Sequence, residues 1–427
     1  MARLRHAAAL VNEYADECIL DLMPKKVVLA YSGGLDTSVA VRWMTEEMGV
    51  EVIALAADLG QGGDWDAVTD RALGAGAVEV VVVDAKEEFG TDFVAPAIRA
   101  NALYEGKYPL ISSLSRPVIV KHLVAAARQH GADAIAHGCT GKGNDQVRFE
   151  VSSRALAPDL EVIAPVRVWG FTRDDSIDYA KRFGIPISAT KASPYSVDQN
   201  LWGRTVECGI LEDPWVMPPA DVYELTVAKA AGGEAVEVVV GFESGLPVSL
   251  DGRPLAMHEL LPALDTIVGP YGFGRIDMIE NRRVGIKSRE IYECPGALAL
   301  IMAHQDLEGM TLERDVAHEK FRLEPRWAEL VYDGLWYSPL KASLDAFFAE
   351  SQRHVTGEVR LRCEPGAGPG GLGCCFVAGR RSPVALYDHD LATYSAADRF
   401  RHQDAEGFVR IFGLGIETWA SKQGPAA

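Results

Sequence analysis

The stretch VVLAYSGGLDTS, from Val27 to Ser38, decides the fold class of this chain. Its opening run, Val27–Tyr31, is apolar without interruption, the pattern of a strand buried on both faces of a parallel sheet. Gly33 and Gly34 then permit unusual dihedrals and a close approach of backbone to a ligand. From Thr37 to Met48 the pattern is helical: Ala40, Met44 and Met48 share a face, and Gly49 is the stop. A strand, a glycine turn and a helix in that order aim the unpaired first amides and the positive end of the helix dipole at the turn. That is a phosphate site. Ser32, Thr37 and Ser38 add hydroxyl donors. Asp36 is the odd member, because an acid repels phosphate unless a cation intervenes; its expected role is to hold Mg²⁺, directly or through water. No Gly-Lys-Ser/Thr follows, so this is not a Walker loop.

Working outward, strands are expected at Val52–Ala57, Val78–Asp84, Ala134–His137 and Glu161–Val166, with a helix over Arg116–His130. Thr172-Arg-Asp-Asp175 reads as a capping box opening a helix that ends near Gly184. Strands alternating with helices give an α/β fold, a Rossmann-like doubly wound parallel sheet. Its ligands bind beyond the carboxyl ends of strands, so the loops after Tyr31 and His137 are where chemistry is expected. Past about Lys191 the rhythm becomes that of a second α+β domain. It has a hairpin from Val236–Gly241 and Leu246–Leu250, helices at Pro295–Gln305 and Leu340–Arg353, and strands at Thr356–Cys363 and Leu372–Ala378. The expected division is an N-terminal extension (1–24), a nucleotide-binding domain (25–190), a substrate domain (191–395) and a C-terminal oligomerisation tail (396–427). Gly366–Gly371 matches G-x-G-x-x-G, but it contains Pro369 and opens no helix, so it is read as a hairpin loop rather than a dinucleotide site.

The chain has 427 residues and a net charge of −18. That balance argues against a nucleic-acid binder, which needs a basic face. Seven scattered cysteines, with no C-x-x-C pair, suggest neither a zinc cluster nor a disulfide framework, and fit a reducing cytosol. Adjacent Cys374 and Cys375 are read as ordinary strand residues rather than a redox pair. No apolar run approaches the ~18–20 residues that cross a bilayer. The acids Glu13, Asp16, Glu17 and Asp21 argue against a signal peptide at the start.

The second chemical motif is HGCTGKGNDQVRFE, from His137 to Glu150. Gly138, Gly141 and Gly143 make another close-approach loop after a strand. Thr140, Lys142, Asn144, Asp145 and Arg148 crowd it with charges and donors. Lys142 suits a phosphate as a point charge, Arg148 has the fork that suits a carboxylate, and Asp145 can accept from an ammonium. His137, at a strand end, is read as structural.

The first loop resembles the S-G-G-x-D loop of the ATP pyrophosphatase superfamily, which cleaves ATP between its α and β phosphates. The two motifs together resemble the argininosuccinate synthase family. Further segments extend the resemblance from about Lys25 to about Leu414: ADLGQGG at Ala57–Gly63, SSLSRP at Ser112–Pro117, LAPDLEVIAP at Leu156–Pro165, DQNLWGR at Asp198–Arg204, GRIDMIENRRVGIKSREIYECPGA at Gly274–Ala297 and RWAELVYDGLWYSPL at Arg326–Leu340. The resemblance implies an adenine nucleotide alpha hydrolase-like domain joined to a synthetase domain. It implies an AMP-forming ligase that adenylates the citrulline ureido oxygen, releases pyrophosphate, and lets the aspartate amine displace AMP, with ATP and Mg²⁺ required. By motif position, Ala30, Tyr31, Ser32, Gly33, Gly34, Leu35, Asp36, Thr37, Ser38, Ala57 and Gly138 would bind ATP. Thr140, Asn144 and Asp145 would bind aspartate, and Tyr108, Ser113, Asn144, Arg148, Ser196, Thr205, Glu280 and Tyr292 would bind citrulline. Asp36, Asp145 and Arg148 would act in catalysis, Asp145 as candidate base for the aspartate amine. Position 205 is Thr where many relatives carry Ser, and the hydroxyl survives.

Each assignment has a plainer rival. Tyr108 and Tyr292 could be packing residues, and Glu280 a surface acid paired with Arg282 or Arg283. The family's homotetramer is implied through the C-terminal helix, although Gly413 and Gly415 weaken that helix by roughly 1 kcal/mol each. No membrane or nucleic-acid partner is expected, and the enzyme is expected in the cytoplasm. The competing functions are a paralogous ligase with another amine or acceptor, a tRNA-modifying relative, and a non-catalytic nucleotide sensor.

Overall fold

Strand β1 (Lys26–Ala30) lies at the centre of a five-stranded sheet, and its alternate residues face different cores. Val27 and Leu29 pack with Val39, Ala40 and Met44 on one side, while Val28 packs with Ile53, Leu55, Val120 and Leu123 on the other. Two covered faces explain the unbroken apolar run. The computed structural model describes residues 24–186, 195–226, 233–366, 368, 372–394 and 399–424. The expected N-terminal extension, bar its last residue, and most of the Gly366–Gly371 loop lie outside these.

After β1 come α1 (Leu35–Trp43), which continues as a π turn to Met48, β2 (Glu51–Asp58), α2 (Trp65–Ala75) and β3 (Glu79–Asp84). Then follow α3 (Ile111–His130), β4 (Ala134–Ala136), α4 (Asp145–Leu156), β5 (Glu161–Ile163) and α5 (Arg173–Arg182). Gly49 ends the π turn in the left-handed region with φ +66°, and Thr172 and Asp175 form the capping box at α5. The strands are all parallel in the order β3-β2-β1-β4-β5. The order reverses between β1 and β4, and this switch point is where the loops after both strands open together.

Two boundaries here differ from expectation: α3 begins at Ile111 rather than Arg116, and the last strand is shorter than Glu161–Val166. The strand ends at Ile163, and Pro165–Trp169 is a short helix: Pro165 sits in its first turn and Gly170 closes it with φ +65°.

The second half supplies two antiparallel sheets. One is β11 (Arg275–Asn281), β12 (Lys287–Glu293), β7 (Gly203–Glu207) and β6 (Ser196–Asn200), in that order across the sheet. The other runs β10 (Arg253–Pro254), β9 (Leu246–Leu250), β8 (Val236–Glu243), β13 (Gly357–Glu364) and β14 (Cys374–Arg381). The expected β8–β9 hairpin is present, as is antiparallel pairing across the glycine-rich loop. Helices α6 (Met257–Val268), α7 (Pro295–Thr311), α8 (Arg314–Tyr332) and α9 (Pro339–Ser351) pack in this half. A buried polar network locks it to the first half. Asn101 donates to Glu308 and Glu324 at 2.7 Å, His304 Nδ1 meets Asn101 Oδ1 at 2.6 Å, and Lys320 Nζ donates to Glu324 at 2.6 Å.

The cysteine expectation needs correcting. Register places Cys363 opposite Cys375 on β13 and β14, with Cα atoms 4.1 Å apart, and the two form a disulfide. Cys374 points to the other face of its strand and is free. The chain ends in α10 (His402–Gln423), which runs unbroken through Gly413 and Gly415 and buries none of its residues.

Candidate active site

The turn after β1 is cross-braced by its own hydroxyls. Tyr31 Oη meets Ser38 Oγ at 2.9 Å, Ser32 Oγ meets Thr37 Oγ1 at 3.1 Å, and Ser38 Oγ donates to the Gly34 carbonyl at 2.8 Å. Gly33 holds φ +74°, a conformation that glycine adopts without strain. Gly34 caps α1 with no side-chain bond, so the first amides of the helix remain available. Asp36 keeps contact with solvent in that first turn. Desolvation by the surrounding loop pushes its carboxyl up, and Arg173 partly offsets this.

The turn after β4 meets the first one edge to edge. A Cβ added at Gly138 would lie 2.9 Å from Thr37 Cγ2. His137 is buried, and burial pushes its imidazole down to about 4; its Nδ1 accepts from the Cys139 amide at 3.2 Å. This neutral ring shapes the loop, as expected of a structural histidine. Asp145 begins α4 and is gripped by two guanidinium groups. Arg116 donates to Oδ2 through Nε at 3.0 Å and Nη2 at 2.7 Å, and Arg148 donates to Oδ1 at 2.8 Å. Burial works to raise the Asp145 carboxyl, but Arg116 and Arg148 outweigh it and hold it at about 2. Arg116 also reaches Asp198 at 2.7 Å, and Ser112 Oγ donates to that same carboxylate at 2.6 Å.

The far wall is aromatic and acidic. Tyr108 stacks on Tyr292 with centroids 4.3 Å apart. Glu280 is 2% exposed and accepts from Tyr292 Oη and Tyr332 Oη, each at 2.7 Å. Burial, with help from Glu290, pushes its carboxyl up to about 7. Arg282 pairs instead with Glu207 at 2.6 Å and Glu290 at 2.9 Å, and Arg283 pairs with Asp333 at 3.2 Å. Glu280 is therefore not a surface acid paired to either arginine. Asn144 donates to Tyr332 Oη at 2.7 Å and accepts from the Arg283 amide at 2.8 Å. Arg148 Nε donates to the Tyr332 carbonyl at 3.0 Å. The pocket residues thus come from both halves of the chain.

These surfaces enclose a cavity of about 560 Å³. Ala30, Tyr31, Ser32, Thr37, Ala57 and Gly138 line the end at the first turn, and Thr140, Asn144, Asp145 and Arg148 line the middle. Tyr108, Ser196, Thr205, Glu280 and Tyr292 line the far end. Gly33, Gly34, Leu35, Asp36 and Ser38 build the first turn without lining the cavity, and Ser113 lies buried just behind the wall. The hydroxyls of Ser113 and Thr205 are buried with no hydrogen-bond partner among the described residues. An unmet buried hydroxyl costs roughly 1–3 kcal/mol, which a bound ligand can relieve. Sequence reasoning missed Arg116, Asp198, Glu207, Arg282 and Glu290, all of which line the cavity. All of these but Glu207 sit inside segments that carry the family resemblance, and this was the signal that could have found them.

Comparison with known proteins agrees along nearly the whole chain. The family model described as Arginosuccinate synthase N-terminal HUP domain matches residues 26–186, and the one described as Arginosuccinate synthase C-terminal domain matches residues 195–419. A protein of Geobacillus thermodenitrificans named Argininosuccinate synthase is 55% identical over 390 residues, covering 91% of this chain and 94% of the relative. Another of that name, from Halalkalibacterium halodurans, is 55% identical over 397 residues, covering 93% and 95%. With both halves matched and the cavity assembled from both, this chain belongs to the argininosuccinate synthase family.

Proposed function

We propose that the cavity between the two halves joins citrulline to aspartate, with ATP entering over the first turn and the two amino acids lying against the second turn and the tyrosine wall. The overall activity is that of the family: an ATP-using ligase that forms a C–N bond in arginine biosynthesis. The observation that carries the site assignment is the contact of the two turns. Gly138 lies close to Thr37, so a nucleotide on one turn would have its α-phosphate beside amino acids held on the other. A ureido carbon is a poor electrophile, and adenylation of its oxygen creates a leaving group. The remaining work is to hold the aspartate amine near that carbon and keep water out, a positioning task.

In this reading Ala30–Ser38, Ala57 and Gly138 hold ATP, and Thr140, Asn144 and Asp145 hold aspartate. Citrulline lies among Tyr108, Ser113, Asn144, Arg148, Ser196, Thr205, Glu280 and Tyr292. Asp145 is best suited to be a charge partner. Held at about 2 by two guanidinium groups, it stays anionic at any working pH and fits an ammonium better than it fits the task of removing a proton. Glu280, near 7 and bonded by two tyrosines, can gain or lose a proton under working conditions. The donor set fits Mg²⁺ only as a companion of the triphosphate. Asp36 is the carboxylate the phosphate turn offers, and no cluster of three or more candidate ligands occurs among the described residues. Bound there, the cation would neutralise phosphate charge.

The enzyme is proposed to work in the cytoplasm. Among the described residues no helix is long and apolar enough to cross a membrane. It is also proposed to be a homotetramer clasped by α10, whose Phe408, Phe412, Ile416 and Trp419 form an exposed apolar stripe at helical spacing. The test is a coupled assay that separates AMP from ADP, run with citrulline and aspartate singly and together. AMP and pyrophosphate formation that needs both amino acids for full turnover supports the reading, and ADP formation or turnover with a different amine refutes it.

A further inference from the structure

We infer that Arg71 is a ligand of the β- and γ-phosphates of ATP and of the pyrophosphate that leaves, a role that rests on the ligase reading above. Arg71 projects from α2, an element with no part in either motif, and its Nη1 donates to the carbonyl of Gly33 in the phosphate turn. A Cβ at Gly33 would lie 3.2 Å from the same nitrogen, so the guanidinium is laid directly against the turn.

The charges around it make this placement informative. Arg116, Arg148 and Arg282, the guanidinium groups lining the cavity, are each committed to carboxylates. Lys142 stands exposed on the other turn. Arg71 is half-buried, yet among the described residues no carboxylate pairs with it, in a chain whose net charge is −18. A guanidinium carries five N–H donors, and the Gly33 carbonyl takes up one of them. The remaining donors form a planar fork beside the turn that leads into α1, and such a fork suits two phosphate oxygens. During adenylation the ureido oxygen forms a bond to Pα while the bond from Pα to the bridging oxygen breaks. The electron pair leaves on pyrophosphate, whose charge therefore rises at the end of the site where Arg71 stands. A fixed cation there stabilises that change.

The experiment compares the full-length enzyme with Arg71→Gln and Arg71→Lys. Charged hydrogen bonds of this kind correspond to a roughly tenfold to hundredfold change in binding. For Arg71→Gln the expected result is a Ki for pyrophosphate and a KM for ATP raised by at least about tenfold. The Ki for AMP and the KM for citrulline should stay within about twofold, and Arg71→Lys should recover most of the loss. A guanidinium that only braced the Gly33 carbonyl would disturb AMP and pyrophosphate alike. Equal changes for both products, or none for pyrophosphate, therefore overturn the proposal. Phenylglyoxal labelling of the unaltered enzyme gives a readout that does not depend on a variant folding. Pyrophosphate should shield the Arg71 peptide where AMP does not, and labelling indifferent to pyrophosphate overturns the proposal. Failure of the ligase reading looks different: the unaltered enzyme itself would make no AMP.

Discussion

Glu280 places a titrating carboxylate at the far end of the cavity, where citrulline is proposed to lie. Its group sits near 7 because burial and Glu290 raise it. An acid raised in this way is neutral below that pH and anionic above it, so it attracts an α-ammonium only on the alkaline side. The KM for citrulline should fall as pH rises from 6 to 8, and Glu280→Gln should flatten that dependence; a pH profile unchanged by the substitution counts against the role. The same raised value means that Glu280 favours folding below its unfolded pKa and loses that contribution as pH climbs through about 7. Asp145→Asn tests the other charge. It removes the shared partner of Arg116 and Arg148, and the KM for aspartate should rise by about tenfold or more in steady-state assays. Retention of normal aspartate affinity would remove Asp145 from the aspartate site. At this scale the sequence named Tyr108, Tyr292 and Glu280 only through motif context. Their stacking and mutual hydrogen bonds join residues far apart in the chain, and no local pattern encodes such contacts.

The two turns are the elements on which the proposed chemistry rests, and their spacing leaves no room for a methyl group. In Gly138→Ala the new Cβ would meet Thr37 Cγ2 at about 2.9 Å, forcing the turns apart. Overpacking of this kind costs roughly 1–3 kcal/mol. The expected outcome is a fall of about tenfold to hundredfold in kcat/KM for ATP, with little change in melting temperature, because the contact is local to the loops. Pairing it with Thr37→Ser, which removes that Cγ2, should restore part of the loss, and absence of any rescue would show that the clash is not the cause. Strands β1, β2 and β3 were legible within a residue or two because each is apolar and bounded by turns. Helix α8 was not read as an element; Pro325 lies inside it, a residue that normally argues against a helix interior. Strands β6, β7, β11 and β12 were likewise missed, since charged and polar residues interrupt any apolar run along them.

Across the whole molecule, α10 is the feature a lone chain cannot explain. Phe412 is 79% exposed and Ile416 is 72% exposed, on a helix that nothing else among the described residues covers. Apolar stripes of this size mark association surfaces. A Phe412→Glu, Ile416→Glu double variant should sediment as a smaller species than the parent, with the melting of the monomer's core unchanged. An unaltered mass in analytical ultracentrifugation would exclude the helix as the clasp. Glycines 413 and 415 do not interrupt α10, although each costs helix propensity. Length and flanking good helix formers carry it through.

The sequence by itself determined the doubly wound sheet and the phosphate turn. Both are local facts: a two-faced apolar strand, a glycine turn and a helix start follow from residues within a dozen positions of one another. Only the tertiary structure decided which carboxylates stay charged. Asp145 and Glu280 are both acids in the same cavity, yet one is held at about 2 by Arg116 and Arg148, and the other is lifted to about 7 by burial beside Glu290. The pairing of Cys363 with Cys375 rather than with a neighbour was decided in the same way, by strand register. Electrostatics and register depend on distances between atoms that the chain brings together only after folding, and so they lie beyond what a linear pattern can record.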